Sequence, residues 1–112
     1  MIIGVAGPYS ASTPEQLKKN YDALNEAAAR LLEMGHIPFI GINMAIPVLE
    51  KANVEDEYEA AMDISLAIID KCEALLFIGE SPGANRERDI ILAKGLKVYY
   101  NLDEVKLLNP HI

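Results

Sequence analysis

Short apolar runs alternate along the chain with segments of helical periodicity, and this alternation limits the fold more than any other feature. The apolar runs predict strands at residues 2–6, 37–40, 74–79 and 96–100. Strands that alternate with helices form a parallel sheet with helices on both faces, joined by right-handed crossovers. We therefore predict an α/β fold: a three-layer doubly wound parallel sheet, flavodoxin-like, with about four strands in the order 2-1-3-4.

The segments between these strands carry helix signals of different strength. Thr13 before Pro14 predicts a helix start, and Gly35 predicts its end. The apolar face of this helix is predicted to comprise Leu17, Tyr21, Leu24, Ala28 and Leu31. A second helix is predicted over residues 55–71, with a buried face of Tyr58, Met62, Leu66 and Ile69. Residues 42–54 are ambiguous, because Pro47 interrupts a short helical pattern.

The remaining elements follow from turn residues. Residues 80–85 predict a loop, a helix then runs to about Lys94, and a short final helix is expected over residues 102–108. Pro38 places the second strand at an edge of the sheet, because proline cannot donate to a central ladder.

Composition excludes several classes of function. The length of 112 residues fits one domain, covering 1–112. Ten Lys and Arg are scattered among seventeen Asp and Glu, and the net charge of −7 argues against polymeric nucleic acid as a partner. One cysteine, Cys72, excludes an internal disulfide, and neither histidine has a partner at metal-ligand spacing. We expect no metal and no cofactor.

No apolar run approaches the ~20 residues that span a bilayer. We therefore expect no membrane partner. We also expect a cytoplasmic protein, because a lone cysteine suits a reducing compartment.

Two polar loops, after the first and the third strand, contain the candidate site. In flavodoxin-like sheets a ligand lies beyond the carboxyl ends of the strands, where the strand order reverses. The loops that follow Ala6 and Gly79 should therefore line one crevice. The first loop offers Gly7, Pro8, Tyr9 and Ser10, and the second offers residues 81–87. Taken alone, the first loop is equally compatible with an ordinary strand-to-helix connection.

Two carboxylates near this crevice are candidates for chemistry. Glu87 is predicted in the first turn of the last long helix, where the helix dipole favours an ionised carboxylate by roughly 0.3–1 kcal/mol. A carboxylate nucleophile must be ionised, although capping the helix is the more common role there. Asp63 is predicted to border the buried face of the preceding helix, where a lone carboxylate needs a partner or a ligand. Alternatively it is solvated, as Glu59 and Asp70 are expected to be.

An ordered set of motifs between residues 2 and 100 resembles the nucleoside 2-deoxyribosyltransferase-like superfamily. The motifs are VAGPYS at 5–10, GHIPF at 35–39, Asp63, CEALL at 72–76, SPGANRE at 81–87 and AKGLKV at 93–98. The resemblance implies an enzyme that cleaves or transfers the N-glycosidic bond of a nucleoside or its 5'-monophosphate. It also implies a homodimer.

The resemblance assigns roles to individual residues. Glu87 matches the nucleophile that attacks the anomeric carbon of the sugar and forms a covalent glycosyl-enzyme. Asp63 matches an aspartate that positions the substrate and handles the proton of the base, and Tyr9 matches an aromatic residue that helps to place the glutamate or the sugar. The matching substrate-binding positions are Gly7, Pro8, Ser10, Ser81, Gly83, Asn85 and Arg86.

Ser81 departs from the transferases, which have an aspartate at this position. The chain is similar here to the deoxynucleoside 5'-monophosphate N-glycosidases, in which a serine precedes a phosphate-contacting glycine by two residues. We therefore expect a phosphate pocket formed by Ser81, Gly83 and the Ser10 loop. Arg86 is either a further phosphate contact or a member of an ordinary surface salt bridge. The family often takes an Asn or Ser from a neighbouring subunit, and no residue of this chain is assigned to that role.

Two other interpretations stay open. The chain is also compatible with a non-catalytic nucleotide- or nucleotide-sugar-binding module that keeps the same crevice. It is also compatible with a different small α/β protein, although a response regulator would have an acidic cluster where this chain has Gly7 and Pro8.

Overall fold

A computed structural model describes residues 1–106 and shows a single four-stranded sheet in which all strands are parallel. The strands are β1 (Ile2–Ala6), β2 (Ile37–Phe39), β3 (Ala74–Phe77) and β4 (Lys97–Tyr99). Their order is β2-β1-β3-β4, as predicted, and β2 lies at an edge. The helices are α1 (Pro14–Glu33), α2 (Gly41–Leu49), α3 (Glu57–Ile69) and α4 (Pro82–Ala93). The flavodoxin-like α/β fold is thereby confirmed.

Helices cover both faces of the sheet, and each face has its own core cluster. The first core cluster packs β1 and β3 against α1 and consists of Ile3, Val5, Leu24, Ala27, Leu31, Ile40, Ala74, Leu76 and Val105. The second core cluster packs the same strands against α3 and α4 and consists of Ala6, Ile69, Cys72, Leu75, Phe77, Ala84, Ile91 and Val98. Because successive side chains of a strand point to opposite faces, the sheet separates the two clusters.

Helix α1 begins and ends where the sequence predicts. The Thr13 hydroxyl accepts a hydrogen bond from the amide of Gln16 at 3.2 Å, and Pro14 occupies the first turn. The helix stops before Gly35, which has a φ of 93° that favours glycine. Tyr21 differs from the prediction, because it is exposed rather than buried on the apolar face.

Helix α4 begins earlier than predicted. Ser81 is its N-cap, with its hydroxyl accepting from the amide of Ala84 at 3.0 Å, and Pro82 occupies the first turn. The loop predicted over residues 80–85 is therefore mostly helix. This is the same Ser/Thr–Pro start signal that defines α1. As a result Glu87 lies in the second turn of α4, and its predicted place in the first turn is wrong.

Helices α2 and α3 differ from the sequence patterns in smaller ways. Pro47 lies inside α2, near its end, so the ambiguous segment is helical. The buried face of α3 starts at Met62. Tyr58 is 47% exposed, and its hydroxyl interacts with the side chain of Arg86 at the surface.

A 3-10 turn, Leu102–Glu104, stands where the final helix was predicted, and residues 107 and 108 of that prediction lie outside the described residues. Among residues 1–106, no helix is long and apolar enough to cross a membrane. The same residues hold no group of three or more His, Cys, Asp or Glu side chains arranged to bind a metal ion.

Candidate functional site

The loops after β1 and β3 meet at the carboxyl edge of the sheet. Ala6 pairs with Phe77, so the two loops leave the sheet side by side, at the point where the strand order reverses. A side-chain carbon at Gly79 would lie 3.0 Å from Cδ of Pro8, and one at Gly7 would lie 2.5 Å from Cγ1 of Ile78. The first loop therefore packs directly against the second, and its glycine is required for that close approach.

Glu87 lies on the face of α4 that packs against the sheet, between Ala84 and Ile91. The residue is 7% exposed, and its Oε2 atom has no hydrogen-bond partner within residues 1–106. Side chains of a helix lean toward its N-terminus, which for α4 is the end at the loop crevice. An ionisable group is thus buried without a partner in the described residues, on a side chain that leans toward the end of α4 at the two loops.

Burial raises the pKa of Glu87 to about 8. The charged form loses its hydration in the second core cluster, and this desolvation exceeds the weak help of the helix dipole, which fades beyond the first turn. The expectation that Glu87 is ionised is therefore wrong for the ligand-free protein, in which the side chain is mostly protonated at neutral pH. Strongly perturbed carboxyl groups of this kind are enriched at functional sites.

Cys72 belongs to the same buried environment. Burial, followed by the charge of Glu87, raises the pKa of the Cys72 thiol to about 11. A thiol with so high a pKa is a poor nucleophile at neutral pH. Of the two buried groups, Glu87 is therefore the one that is suited to acid–base or covalent chemistry.

Asp63 and Glu87 lie on the same side of the sheet, since α3 and α4 both pack against the second core cluster. Asp63 is exposed, whereas its neighbour Met62 points into the protein. The prediction that Asp63 borders the buried face is wrong, because Asp63 lies about 100° farther round the helix than Met62.

The residues predicted to bind phosphate have protein partners of their own. The Ser81 hydroxyl caps α4, and Gly83 packs near Met62, with a side-chain carbon there meeting Sδ at 3.1 Å. Arg86 donates to both carboxylate oxygens of Glu59, at 3.0 and 3.5 Å. Hydrogen bonds that the Arg86 guanidinium donates, first to Glu59 and then to Tyr58, raise the pKa of Arg86.

Two further predicted residues lack such partners. Asn85 has a buried side-chain oxygen without a hydrogen-bond partner among the described residues, and Ser10 is exposed. Ser10 is therefore accessible to a ligand, whereas the Asn85 oxygen is enclosed by protein.

Tyr9 lines a cavity that sequence reasoning did not anticipate. The cavity has a volume of about 230 Å³ and is lined by Tyr9, Tyr21, Asn43, Ile46 and Pro47. The Tyr9 carbonyl accepts from the Asn20 amide at 3.0 Å, which fixes the first loop onto α1. The Asn43 amide donates to the side-chain oxygen of Asn25 at 2.9 Å.

The cavity and Glu87 lie on different sides of the sheet. Tyr9 packs against the first core cluster, whereas Glu87 extends from α4 on the other face. A ligand that contacts both must cross the carboxyl edge over the loop crevice. The sequence signals for the cavity were weak. Tyr21 matches the apolar pattern of α1, and Pro47 interrupts the helical pattern of α2.

One protein family, described as a domain of unknown function (DUF1937), matches residues 1–101, and the chain belongs to this family. No curated protein matches the chain significantly.

Proposed function

We propose that this protein cleaves or transfers the N-glycosidic bond of a nucleoside, a deoxynucleoside or the 5'-monophosphate of either. The observation that carries the proposal is the unpartnered Oε2 of Glu87, buried on the face of α4 that packs against the sheet. A buried polar atom without a partner lowers the stability of the fold, so its presence suggests a role in function.

The chemistry assigned to Glu87 is nucleophilic. Its carboxylate attacks the anomeric carbon, the bond between that carbon and the base nitrogen breaks, and the base leaves with the bonding electrons. Water or a second base then displaces the carboxylate from the sugar, which regenerates the enzyme with retained configuration. Asp63 handles the proton of the base in this proposal, and its exposure requires the base to extend toward the outer side of α3.

The protonation of Glu87 sets the pH dependence of this reaction. Only the ionised carboxylate attacks, and its pKa is about 8 in the ligand-free protein. The value of kcat/KM should therefore rise about tenfold per pH unit below that pKa and level off above it. A general acid in the same position would give the opposite limb, with activity lost as the pH rises.

A screen of deoxynucleosides and their 5'-monophosphates for release of free base tests the proposal. Glu87→Gln should abolish release, whereas Glu15→Gln, at an exposed position in the first turn of α1, should retain it. Full activity of Glu87→Gln, or no release from any substrate by the wild-type protein, would contradict the proposed reaction.

The proposal also includes a subunit arrangement and a compartment. The resemblance to the transferase superfamily implies a homodimer, which analytical ultracentrifugation measures directly. The single buried cysteine suits a reducing compartment, so we place the protein in the cytoplasm.

A second candidate function is a non-catalytic nucleotide- or nucleotide-sugar-binding module. The cavity beside Tyr9 favours it, because two tyrosines and an amide can contact a planar base on the opposite face of the sheet from Glu87. Calorimetry separates the two functions. A binding module loses affinity in Tyr9→Leu and keeps it in Glu87→Gln, and it releases no base.

A further inference from the structure

Arg88 lies over an aromatic ring at the carboxyl edge of β3. Its guanidinium carbon is 5.2 Å from the centre of the Phe77 ring, and only 24% of the Arg88 side chain is exposed. Phe77 is itself buried in the second core cluster. This cation–π contact therefore holds the guanidinium group over the Phe77 ring in the folded protein.

The hydrogen-bonding capacity of Arg88 is largely unused. Within residues 1–106 its one polar contact runs from Nε to the carboxylate of the adjacent Asp89, at 3.3 Å. The other two arginines of the chain have glutamate partners: Arg30 pairs with Glu33 at 2.8 Å, and Arg86 pairs with Glu59. The two terminal nitrogens of Arg88 thus stay without a protein acceptor in the described residues, in a chain rich in carboxylates.

Tyr100 adds a second aromatic ring to this group. Its ring meets Phe77 edge to face, with 5.8 Å between ring centres and 66° between planes. The Tyr100 amide donates to Glu104 at 3.2 Å, and Asn101 donates to the same carboxylate, which holds the turn after β4 in place. Tyr100 is nevertheless 53% exposed, so one part of its ring is available for contact.

We propose that Arg88, Phe77 and Tyr100 form a binding site for an oxyanion attached to an aromatic ring. The terminal nitrogens of Arg88 bind two oxygens of a phosphate or carboxylate group, and Tyr100 contacts the attached ring. The Asp89 carboxylate accepts a hydrogen bond from Nε of Arg88 and leaves the two terminal nitrogens free for the ligand. The inference does not rest on the proposed reaction of Glu87.

Titration of the wild-type protein with phenyl phosphate, benzoate, benzyl alcohol and inorganic phosphate tests this site, with the ring resonances of Phe77 and Tyr100 followed by NMR. Phenyl phosphate or benzoate should shift the resonances of both rings. The ligand of these two that binds more tightly identifies the preferred oxyanion. Benzyl alcohol should bind at least ~10-fold more weakly, because it lacks the charge that contacts Arg88. This ratio corresponds to about 1.4 kcal/mol. Inorganic phosphate should also bind more weakly, because it has no ring for Tyr100.

Three variants complete the test. Arg88→Lys keeps the charge but loses the planar fork, and Arg88→Gln loses both, so affinity for the preferred ligand should fall in each. Arg30→Gln changes the net charge equally at a distant surface pair and should bind as the wild type does. An equal loss in Arg30→Gln, or full affinity in folded Arg88→Lys and Arg88→Gln, would overturn the site, as would the absence of any shift at Phe77 and Tyr100.

Discussion

At the scale of single residues, the burial of Glu87 links pH to stability. Its pKa is raised from 4.5 to about 8 in the folded protein, so folding favours the protonated side chain. The contribution of Glu87 to stability is therefore fully present below about pH 4.5 and is lost as the pH rises from there through 8. Glutamine has nearly the same shape and does not titrate.

We predict that Glu87→Gln gains stability relative to the wild type as the pH rises. One proton changes the free energy of unfolding by up to about 1.4 kcal/mol per pH unit, so the relative gain between about pH 5.5 and 7.5 should reach roughly 2–3 kcal/mol. Urea unfolding at several pH values measures it. Glu15→Gln is the matched control and should show no such trend, and a flat difference for Glu87→Gln would refute the raised pKa.

Ser81 allows the predicted phosphate preference to be tested without loss of the helix cap. Aspartate caps helices about as well as serine, so Ser81→Asp should preserve α4. Its carboxylate should repel a phosphate group, and the preference for a 5'-monophosphate over the nucleoside should fall by at least ~10-fold, or about 1.4 kcal/mol. Calorimetry with matched ligand pairs gives this ratio, and an unchanged ratio would remove Ser81 from the phosphate pocket.

At the scale of elements, the contact between α2 and α3 depends on Gly41. A side-chain carbon at this position would lie 1.9 Å from Oγ of Ser65 and 2.8 Å from its Cα, so part of the clash is with backbone. Gly41→Ala should force the helices apart and reduce stability by about 1–3 kcal/mol, as overpacking usually does. Chemical denaturation measures the loss.

Removal of the Ser65 hydroxyl distinguishes the side-chain part of this clash from the backbone part. It is buried without a hydrogen-bond partner in the described residues, so Ser65→Ala alone should change stability little or increase it. Combined with Gly41→Ala, it removes the clash with the hydroxyl but not with Cα, and rescue should be partial. Complete rescue would show that the backbone contact is not limiting.

At the scale of the whole molecule, His36 connects three distant segments. The residue is 0% exposed, its Nδ1 is 3.1 Å from the amine of Met1, and its Nε2 is 2.7 Å from the carbonyl oxygen of Lys106. A carbonyl can only accept, so Nε2 carries the proton and Nδ1 accepts from the amine. The histidine thus joins the start of β2 to both ends of the described chain.

We predict that His36→Ala lowers the free energy of unfolding by about 2–4 kcal/mol, because it opens a cavity and leaves the Lys106 carbonyl without its donor. Hydrogen exchange should increase most at residues 102–106, which pack over the first core cluster through Val105. Unchanged exchange there would mean that packing of Leu102 and Val105 on the first core cluster holds this segment without His36.

Much of the fold is determined by local sequence signals. Thr13 and Pro14 start α1 and Gly35 ends it, while Pro38 confines β2 to an edge. The alternation of strands and helices then leaves few topologies, because parallel strands require right-handed crossovers. The strand order and the meeting of the two loops follow from this pattern. Glu87 was chosen for its expected place at a helix start and for the family resemblance, and its activity stays a prediction.

The tertiary structure decided the environment of each candidate side chain. Burial of a whole helix face raised the pKa of Glu87 against its dipole, and one step around α3 left Asp63 exposed beside buried Met62. Arg86 forms an ion pair with Glu59 of a neighbouring helix, and the guanidinium of Arg88 lies over the ring of Phe77. Desolvation, ion pairing and stacking depend on atoms that are distant in sequence, whereas helix caps and turns depend on neighbours within a few residues.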